Sequence, residues 1–172
     1  MVMALTLLSH GVSDRDLFLF DTFSGMPKPD ARDENAYGVQ AADKFASKRI
    51  DDFSSDWVRA QLDSVQDAMA QTRYPSDRVQ FVKGLVEDTI PGHAPEKIAL
   101  LRLDTDFYQS TMHELEYLYP LVATGGIVII DDYGMWQGAR EAVDEYFGRQ
   151  PNGIPLLHRL DFSARLIVKT AY

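Results

Sequence analysis

The residues from Lys97 to Phe147 constrain the fold of this chain more than any other stretch. Two apolar runs, Ile98–Leu103 and Gly126–Ile130, each have the length of a buried strand. Residues 110–121 between them have helical character, and the pair Gly125-Gly126 predicts a turn before the second run. The order strand, helix, strand predicts two parallel neighbouring strands. The sequence therefore predicts an α/β fold with a mostly parallel, doubly wound sheet.

Both predicted strands end in acidic residues. Asp104 and Asp106 follow the first strand, and Asp131 and Asp132 follow the second. The carboxyl ends of parallel strands meet at one edge of the sheet, where open α/β sheets bind their ligands. We expect Asp104, Asp131 and Asp132 to lie close together there, where they repel each other unless a cation neutralises them. Oxygen ligands suit Mg²⁺, so the sequence predicts a magnesium site; simple turn capping is the alternative.

Length, charge and cysteine content exclude several classes of protein. The 172 residues fit one domain, and the formal net charge of -9 argues against a nucleic-acid-binding protein. The absence of cysteine excludes disulfides, a thiolate zinc site and a cysteine nucleophile, and it favours a cytoplasmic protein. No apolar run approaches ~18 residues, so we expect no membrane span, and we read no signal peptide at the N-terminus.

Outside the central unit, the hydrophobic pattern predicts further helices and strands. Two short C-terminal strands are close enough to form an antiparallel hairpin at the sheet edge. The predicted elements are a helix over Met1–Ser9, a strand over Leu17–Phe20, a helix capped by Ser55 and ending at Gln71, a strand over Val79–Val82, a helix over Gln137–Phe147, and the hairpin strands Ile154–Leu160 and Leu166–Lys169.

The segment from Thr22 to Ser54 has glycines, prolines and many charges but little periodic apolar pattern. So long a stretch without regular structure is uncommon in a compact domain and is often a lid or a binding loop. A surface insertion is the alternative. We favour a lid over residues 22–54 because the segment has several large side chains to bury, namely Phe23, Met26, Tyr37, Phe45 and Phe53.

Arg102 lies inside an apolar strand, where a charge is costly unless it is paired. We expect a structural partner for it, either Asp131 or Glu114. The four histidines have no spacing typical of metal ligands. The sequence also has no nucleophile-elbow, phosphate-loop or dinucleotide-binding glycine motif.

Four motifs occur in order along almost the whole chain: FDTFSGMPKPD, GLVEDTIP, LRLDTDFYQST and GGIVIIDDY, the last followed by a helix that contains AVD. Together they resemble the macrocin O-methyltransferase family. The resemblance implies a Rossmann-like fold and a Mg²⁺-assisted enzyme that uses S-adenosylmethionine to methylate a hydroxyl of a sugar or a phenolic small molecule. The acceptor itself cannot be read from the sequence.

The resemblance also implies roles for individual residues. Asp104 would take the proton from the acceptor hydroxyl besides binding the metal. Asp21 ends a strand where such folds bind ribose hydroxyls, although it could equally cap a turn. The residues implied to bind the cofactor are Asp21, Thr22, Phe23, Gly84, Glu87 and Asp88, and those implied to line the acceptor pocket are Tyr108, Tyr133 and Trp136, for which packing into the core or lid is the alternative.

The family has an earlier strand and a glycine-rich turn that hold the methionine end of the cofactor, and this sequence begins in the helix that follows them. We therefore expect residues 1–172 to form a single, N-terminally truncated methyltransferase domain that lacks the first strand. A catalytically impaired fragment that binds a small molecule is one alternative. A metal-dependent phosphatase or hydrolase, which the Asp-Thr-Asp sequence superficially resembles, is another. A homo-oligomer is left open.

Overall fold

A computed structural model describes residues 1–151 and 153–171. The chain divides into two compact units, one formed by residues 1–27 and 48–89 and the other by residues 28–47 and those from 90 onward. No helix in the described part of the chain is both long and apolar enough to cross a membrane. The elements are α1 Val2–Ser9, β1 Leu17–Asp21, α2 Ala41–Lys48, α3 Leu62–Gln71, β2 Val79–Lys83, α4 Val86–Thr89, β3 Ile98–Leu103, α5 Tyr108–Leu118, β4 Val122–Ile130, α6 Gln137–Gly148, β5 His158–Arg159 and β6 Arg165–Val168.

The first unit is built on a parallel pair of strands. Strand β1 pairs with β2 from Leu17 opposite Val79 to Asp21 opposite Lys83, so their carboxyl ends lie side by side. Helices α1 and α3 contribute Ala4 and Met69 to a small core that also holds Tyr74. The predicted opening helix and the two predicted strands are confirmed.

The second unit contains a four-stranded sheet in the order β3-β4-β6-β5. Strands β3 and β4 are parallel, whereas β6 runs antiparallel to both β4 and β5. The core between the sheet and helices α5 and α6 is fully buried, as Leu115, Val128, Val143, Phe147 and Ile167 show. The predicted strand-helix-strand unit and the C-terminal antiparallel hairpin are confirmed, although β5 is shorter than predicted and β6 begins one residue earlier.

The turn predicted at Gly125-Gly126 is wrong, because strand β4 already begins at Val122 and passes through both glycines. The pairing with β3 jumps from Ile98 opposite Val122 to Leu100 opposite Ile127, which places a bulge inside the strand. Gly125 adopts φ +78° in this bulge, a conformation that favours glycine. Strand β3 is also less buried than its apolar sequence predicts, since Leu100 is 44% exposed.

The helix predicted to begin after Ser55 begins instead at Leu62, so this prediction is wrong. The Ser55 hydroxyl donates to the carbonyl of Met26 at 2.8 Å, and the Met26 amide donates to the carbonyl of Trp57 at 3.0 Å. Gly25, with φ +87°, lies directly against the Ser55 carbonyl. The serine that looks like a helix cap therefore joins two loops of the first unit, and Val58 at φ +50° keeps the following residues out of a helix.

The segment from Thr22 to Ser54 is more regular than predicted, because it contains α2. Its residues are divided between the two units. Phe23 and Phe45 are buried, whereas Tyr37 and Phe53 are 75% and 76% exposed. Within the second unit, residues 34–36 pair with residues 135–137: the Ala36 amide donates to Met135 at 2.7 Å and the Gln137 amide donates to Glu34 at 2.8 Å. A lid movement of this segment stays a prediction.

Candidate functional site

The second unit gathers three acidic side chains beyond the carboxyl ends of β3 and β4. One carboxylate oxygen from each of Asp104, Asp106 and Asp132 lies within 4.8 Å of the other two. Asp104 and Asp106 occupy the turn between β3 and α5, and Asp132 follows β4 by two residues. The parallel pairing of β3 and β4 is what brings the two turns together. We call these three residues the acidic cluster.

Asp131 lies beside this cluster and is paired with an arginine. Arg102 contacts the Asp131 carboxylate at 2.9 Å and the Asp104 carboxylate at 2.6 Å. The prediction that Asp131 is a structural partner of Arg102 is confirmed, and Asp104 is a second partner. The structure thus groups Asp104 and Asp132 as the sequence predicts, but it places Asp106 rather than Asp131 as the third carboxylate. The ligand set Asp104, Asp131 and Asp132 stays a prediction.

The acidic cluster is short of positive charge. Burial raises the pKa of Asp104 to about 7, although Arg102 opposes this shift. Burial also raises the pKa of Asp106 to about 6 and, with the neighbouring carboxylate of Asp106, that of Asp132 to about 8. Among the described residues, no group donates a hydrogen bond to the buried Oδ2 of Asp132. Either a shared proton or a bound cation would satisfy this oxygen.

These shifts predict that the metal-free protein loses stability as pH rises. The folded state holds the protons of the acidic cluster more tightly than the unfolded chain, whose aspartates titrate near pH ~4. The cluster's contribution to stability is therefore complete below pH ~4 and is lost as pH rises through the folded values of about 6 to 8. We expect calorimetry in a chelator to give a lower Tm at pH 8 than at pH 5.5, and Mg²⁺ to reduce the difference. A Tm that rises over this interval would contradict the interpretation.

A cavity of about 860 Å³ opens next to the residues that follow Asp132. One wall is the paired main chain described above, helix α6 forms a second, and Phe162 from the β5–β6 turn contributes to a third. That turn is fixed on the Asp-Asp-Tyr segment, because Gly134 donates to the Ser163 carbonyl at 2.9 Å and the Ser163 hydroxyl donates to the Asp131 carbonyl at 2.6 Å. The cavity is lined by residues 34–36 and 38, 133–137, Arg140, Glu141, Asp144, Glu145 and Phe162.

Two of the three aromatic residues predicted to line an acceptor pocket do line this cavity. Tyr133 donates from its hydroxyl to Asp144 at 2.8 Å, and its ring lies 5.1 Å from the guanidinium groups of Arg140 and Arg165. Trp136 is 8% exposed and packs edge-on against Phe107. Tyr108 does not line the cavity, but its hydroxyl donates to Glu145, which does, at 2.6 Å.

The residues predicted to bind a cofactor lie in the first unit, at the carboxyl ends of β1 and β2. Asp21 is paired in register with Lys83, and the amide of Gly84 donates to the Asp21 carbonyl at 3.0 Å. The Asp21 carboxylate accepts the Phe23 amide at 2.5 Å. The Phe23 side chain itself is only 5% exposed. Thr22 donates to the carbonyl of Gly25 at 2.8 Å, and Glu87 and Asp88 lie in α4.

Sequence reasoning missed two residues of the site. Asp106 follows Asp104 by two positions in the sequence. The direction of its side chain depends on a left-handed backbone, φ +65°, which no local sequence pattern predicts. Asp33 is an isolated acid in an aperiodic segment, yet it is 1% exposed and accepts the amide of Tyr108 at 2.9 Å. Only the fold reveals that this carboxylate lies at the beginning of α5.

The family comparison matches residues 1–164 to the family described as macrocin-O-methyltransferase (TylF). The chain belongs to the macrocin O-methyltransferase family. The match extends over all four motifs, so the resemblance drawn from the sequence is confirmed.

Two curated relatives are similar to this chain in sequence. The 4'-O-methyltransferase of Streptomyces olivaceus, which acts on 8-demethyl-8-(2,3-dimethoxy-alpha-L-rhamnosyl)-tetracenomycin-C, is 34% identical over 86% of this chain and 52% of its own length. The demethyldecarbamoylnovobiocin O-methyltransferase of Streptomyces niveus is 34% identical over 81% of this chain and 50% of its own. The chain spans about half the length of the curated relatives that it matches.

Solved structures confirm the fold. The O-methyltransferase NovP superimposes with a TM-score of 0.81 at 28% identity, covering 99% of this chain and 66% of NovP. The calicheamicin methyltransferase CalS11 gives a TM-score of 0.63 at 21% identity, covering 90% of this chain and 60% of that chain. The predicted Rossmann-like α/β fold is therefore confirmed.

Proposed function

We propose that this chain is the methyl-transfer domain of an enzyme that moves a methyl group from S-adenosylmethionine to a hydroxyl of a sugar or phenolic small molecule, assisted by Mg²⁺. The observation that carries the proposal is the acidic cluster with its unsatisfied Asp132 oxygen, placed where the family's Asp-x-Asp and Asp-Asp-Tyr motifs fall. The cavity of about 860 Å³, which is lined by residues 133–137 directly after Asp132 in sequence, is large enough for a sugar or phenol and supports the same proposal.

The donor groups of the acidic cluster fit a magnesium ion. All are carboxylate oxygens, which Mg²⁺ prefers, and a cation supplies the charge that the buried Asp132 oxygen lacks. We propose Asp104 and Asp132 as ligands. The grouping of Asp106 with them supports Asp106 as the third ligand, and the sequence pattern predicts Asp131 instead. When bound, the metal would lower the pKa of the acceptor hydroxyl and neutralise the charge that develops on its oxygen.

Asp104 is well placed to take the hydroxyl proton. Its side chain is 46% exposed, so an acceptor can reach it, and a metal-bound hydroxyl would lose its proton readily enough that the base need not be strong. Arg102 fixes the carboxylate at 2.6 Å. As the proton passes to Asp104, the acceptor oxygen forms a bond to the methyl carbon, the bond from that carbon to sulfur breaks, and S-adenosylhomocysteine leaves.

The carboxyl ends of β1 and β2 fit the ribose part of the cofactor. Asp21 presents a carboxylate at a strand end, which is where folds of this kind bind ribose hydroxyls. Gly84 adopts φ +146° beside it, a conformation that residues with a side chain rarely adopt. A Cβ at this position would also lie 2.9 Å from the Thr89 methyl group. Glu87 follows in the next turn of chain and could accept a second hydrogen bond.

Calorimetry with S-adenosylhomocysteine tests the proposal, together with transfer of a radiolabelled methyl group to a panel of sugar and phenol acceptors. We expect binding of the cofactor product, and turnover that a chelator abolishes and Mg²⁺ restores. An Asp21→Ala variant should lose at least about tenfold in cofactor affinity, the effect of about 1.4 kcal/mol of lost hydrogen bonding. The exposed Asp43→Asn variant is the matched control.

The same experiment separates the alternatives. Cofactor binding without turnover on any acceptor would support a binding remnant rather than an enzyme. Release of inorganic phosphate from aryl phosphates, without cofactor binding, would support a metal-dependent phosphatase instead. Failure of the wild-type chain to bind S-adenosylhomocysteine at millimolar concentration would sink the methyltransferase proposal for this chain.

A further inference from the structure

Asp33 is a buried acid to which the proposed chemistry gives no role. It is 1% exposed, and both carboxylate oxygens accept main-chain hydrogen bonds: Oδ1 from the Tyr108 amide at 2.9 Å and Oδ2 from the Asp30 amide at 2.7 Å. Burial raises its pKa while these two hydrogen bonds oppose the shift. A buried carboxylate held by amides alone is a costly arrangement, so its geometry calls for an explanation.

The amide of Tyr108 belongs to the first residue of α5, where helical amides have no partner within the helix. Phe107, the residue before it, makes no side-chain cap, so Asp33 caps α5 from a distant part of the chain. Helix α6 leaves room for this carboxylate only because residue 138 is glycine. A Cβ on Gly138 would lie 2.2 Å from Oδ1 of Asp33 and 2.9 Å from the Tyr108 nitrogen.

The capped residue is next to the acidic cluster. Tyr108 follows Asp106 by two positions, and Asp106 itself has the left-handed φ of +65°. A non-glycine residue keeps such a conformation only where the surrounding structure holds it. Three hydrogen bonds do so here: the Phe107 amide to Thr105 at 2.7 Å, the Thr105 hydroxyl to Glu114 at 2.9 Å, and the Tyr108 amide to Asp33.

We propose that Asp33 is a positioning residue that holds the turn of Asp104 and Asp106 in its metal-binding geometry through the amide of Tyr108. This inference rests on the proposed function, because it assumes that the acidic cluster binds a divalent cation. It adds a residue from the segment of residues 28–47, which contains none of the acidic-cluster residues. Metal affinity therefore depends on the position of residues 28–47 relative to the beginning of α5.

Mn²⁺ titration followed by electron paramagnetic resonance tests the inference without requiring activity. In Asp33→Ala, the Tyr108 amide loses its acceptor, and we expect the Mn²⁺ Kd to rise about 10- to 100-fold, the range for residues that orient metal ligands. In Asp33→Asn, the side-chain oxygen can still accept from Tyr108, although the NH2 group loses the bond from the Asp30 amide, and we expect a Kd well below that of Asp33→Ala. Asp43→Asn, an exposed acid on α2, is the control and should bind as wild type does.

Far-ultraviolet circular dichroism establishes which variants are folded. If Asp33→Ala does not fold, Gly138→Ala tests the same link, since alanine favours the helix while its Cβ displaces the Asp33 oxygen. We expect its Mn²⁺ Kd to rise about tenfold. Unchanged affinity in a folded Asp33→Ala or Gly138→Ala variant would overturn the inference alone. Equal losses in Asp33→Asn and Asp33→Ala would also overturn it, because the hydrogen bond from Tyr108, which only Asp33→Asn keeps, would then not determine metal affinity. A wild-type chain that does not bind Mn²⁺ would overturn the metal site as well.

Discussion

Asp132→Asn should abolish divalent-cation binding and, in the same protein, raise the thermal stability of the metal-free state at pH 8. The variant removes a carboxylate from the proposed ligand set, and we expect Mg²⁺ affinity measured by calorimetry to fall at least about 100-fold, beyond the range for outer-sphere changes. Without metal, the same change removes a buried carboxylate from beside Asp106 and Asp104. Burial raises the pKa of all three groups, and repulsion between neighbouring carboxylates adds to the shift.

Two further variants decide which acids complete the site. Asp106→Asn should weaken Mg²⁺ binding strongly if the acidic cluster holds the ion as the structure groups it. Asp131→Asn should weaken it as strongly if the sequence-based set is correct, and only moderately if Asp131 acts by pairing with Arg102. Asp43→Asn serves again as the exposed control. Mg²⁺ binding that survives in Asp132→Asn at wild-type strength would place the ion elsewhere.

Gly25→Ala should be among the most destabilising substitutions in the first unit. The alanine Cβ would stand 1.9 Å from the carbonyl oxygen of Ser55. The backbone at φ +87° would in addition be unfavourable for any residue with a side chain. Overpacking of about 1–3 kcal/mol and a left-handed backbone of about 1–2 kcal/mol together predict a loss of about 2–5 kcal/mol in the free energy of unfolding.

Gly11→Ala is the matched control for that measurement. Gly11 lies in the same unit at φ +71°, but apart from its chain neighbours no described residue has a heavy atom within 4 Å of the position that its Cβ would occupy. Urea unfolding should therefore show only the backbone cost of about 1–2 kcal/mol. Equal losses in the two variants would mean that the contact between Gly25 and Ser55 is relaxed in solution, and that the loop pairing through Met26 is weaker than the structure indicates.

The regular elements of this chain could be predicted because local pattern determines them. The apolar runs of β3 and β4 and the apolar face of α6 identified the strand-helix-strand unit, and the parallel pairing followed from it. The helix start predicted at Ser55 was wrong because a serine before a periodic apolar pattern can also join two loops. Its hydrogen-bond partner, Met26, is 29 residues away in the sequence. The bulge at Gly125 could not be predicted either, because two consecutive glycines are as typical of a turn as of an irregular strand.

The site could be predicted only as far as strand ends fix positions. Asp104 and Asp132 follow paired strands, so their proximity was a consequence of topology. The structure groups Asp106 rather than Asp131 with Asp104 and Asp132, because the direction of each side chain depends on the local backbone and because Asp131 is paired with Arg102. Asp33 could not be found, since its role arises from a contact with Tyr108 across 75 residues of sequence.

Residues 34–36 and 135–137 form one wall of the cavity and are joined by main-chain hydrogen bonds. Ala36 lines the cavity and takes part in this pairing through its amide, so its side chain can be exchanged without removing that bond. Such an arrangement separates the stability of the wall from the shape of the cavity. Randomising position 36 to residues other than proline therefore offers laboratory evolution a small library in which most members should fold, and in which the proposed choice of acceptor can be tested.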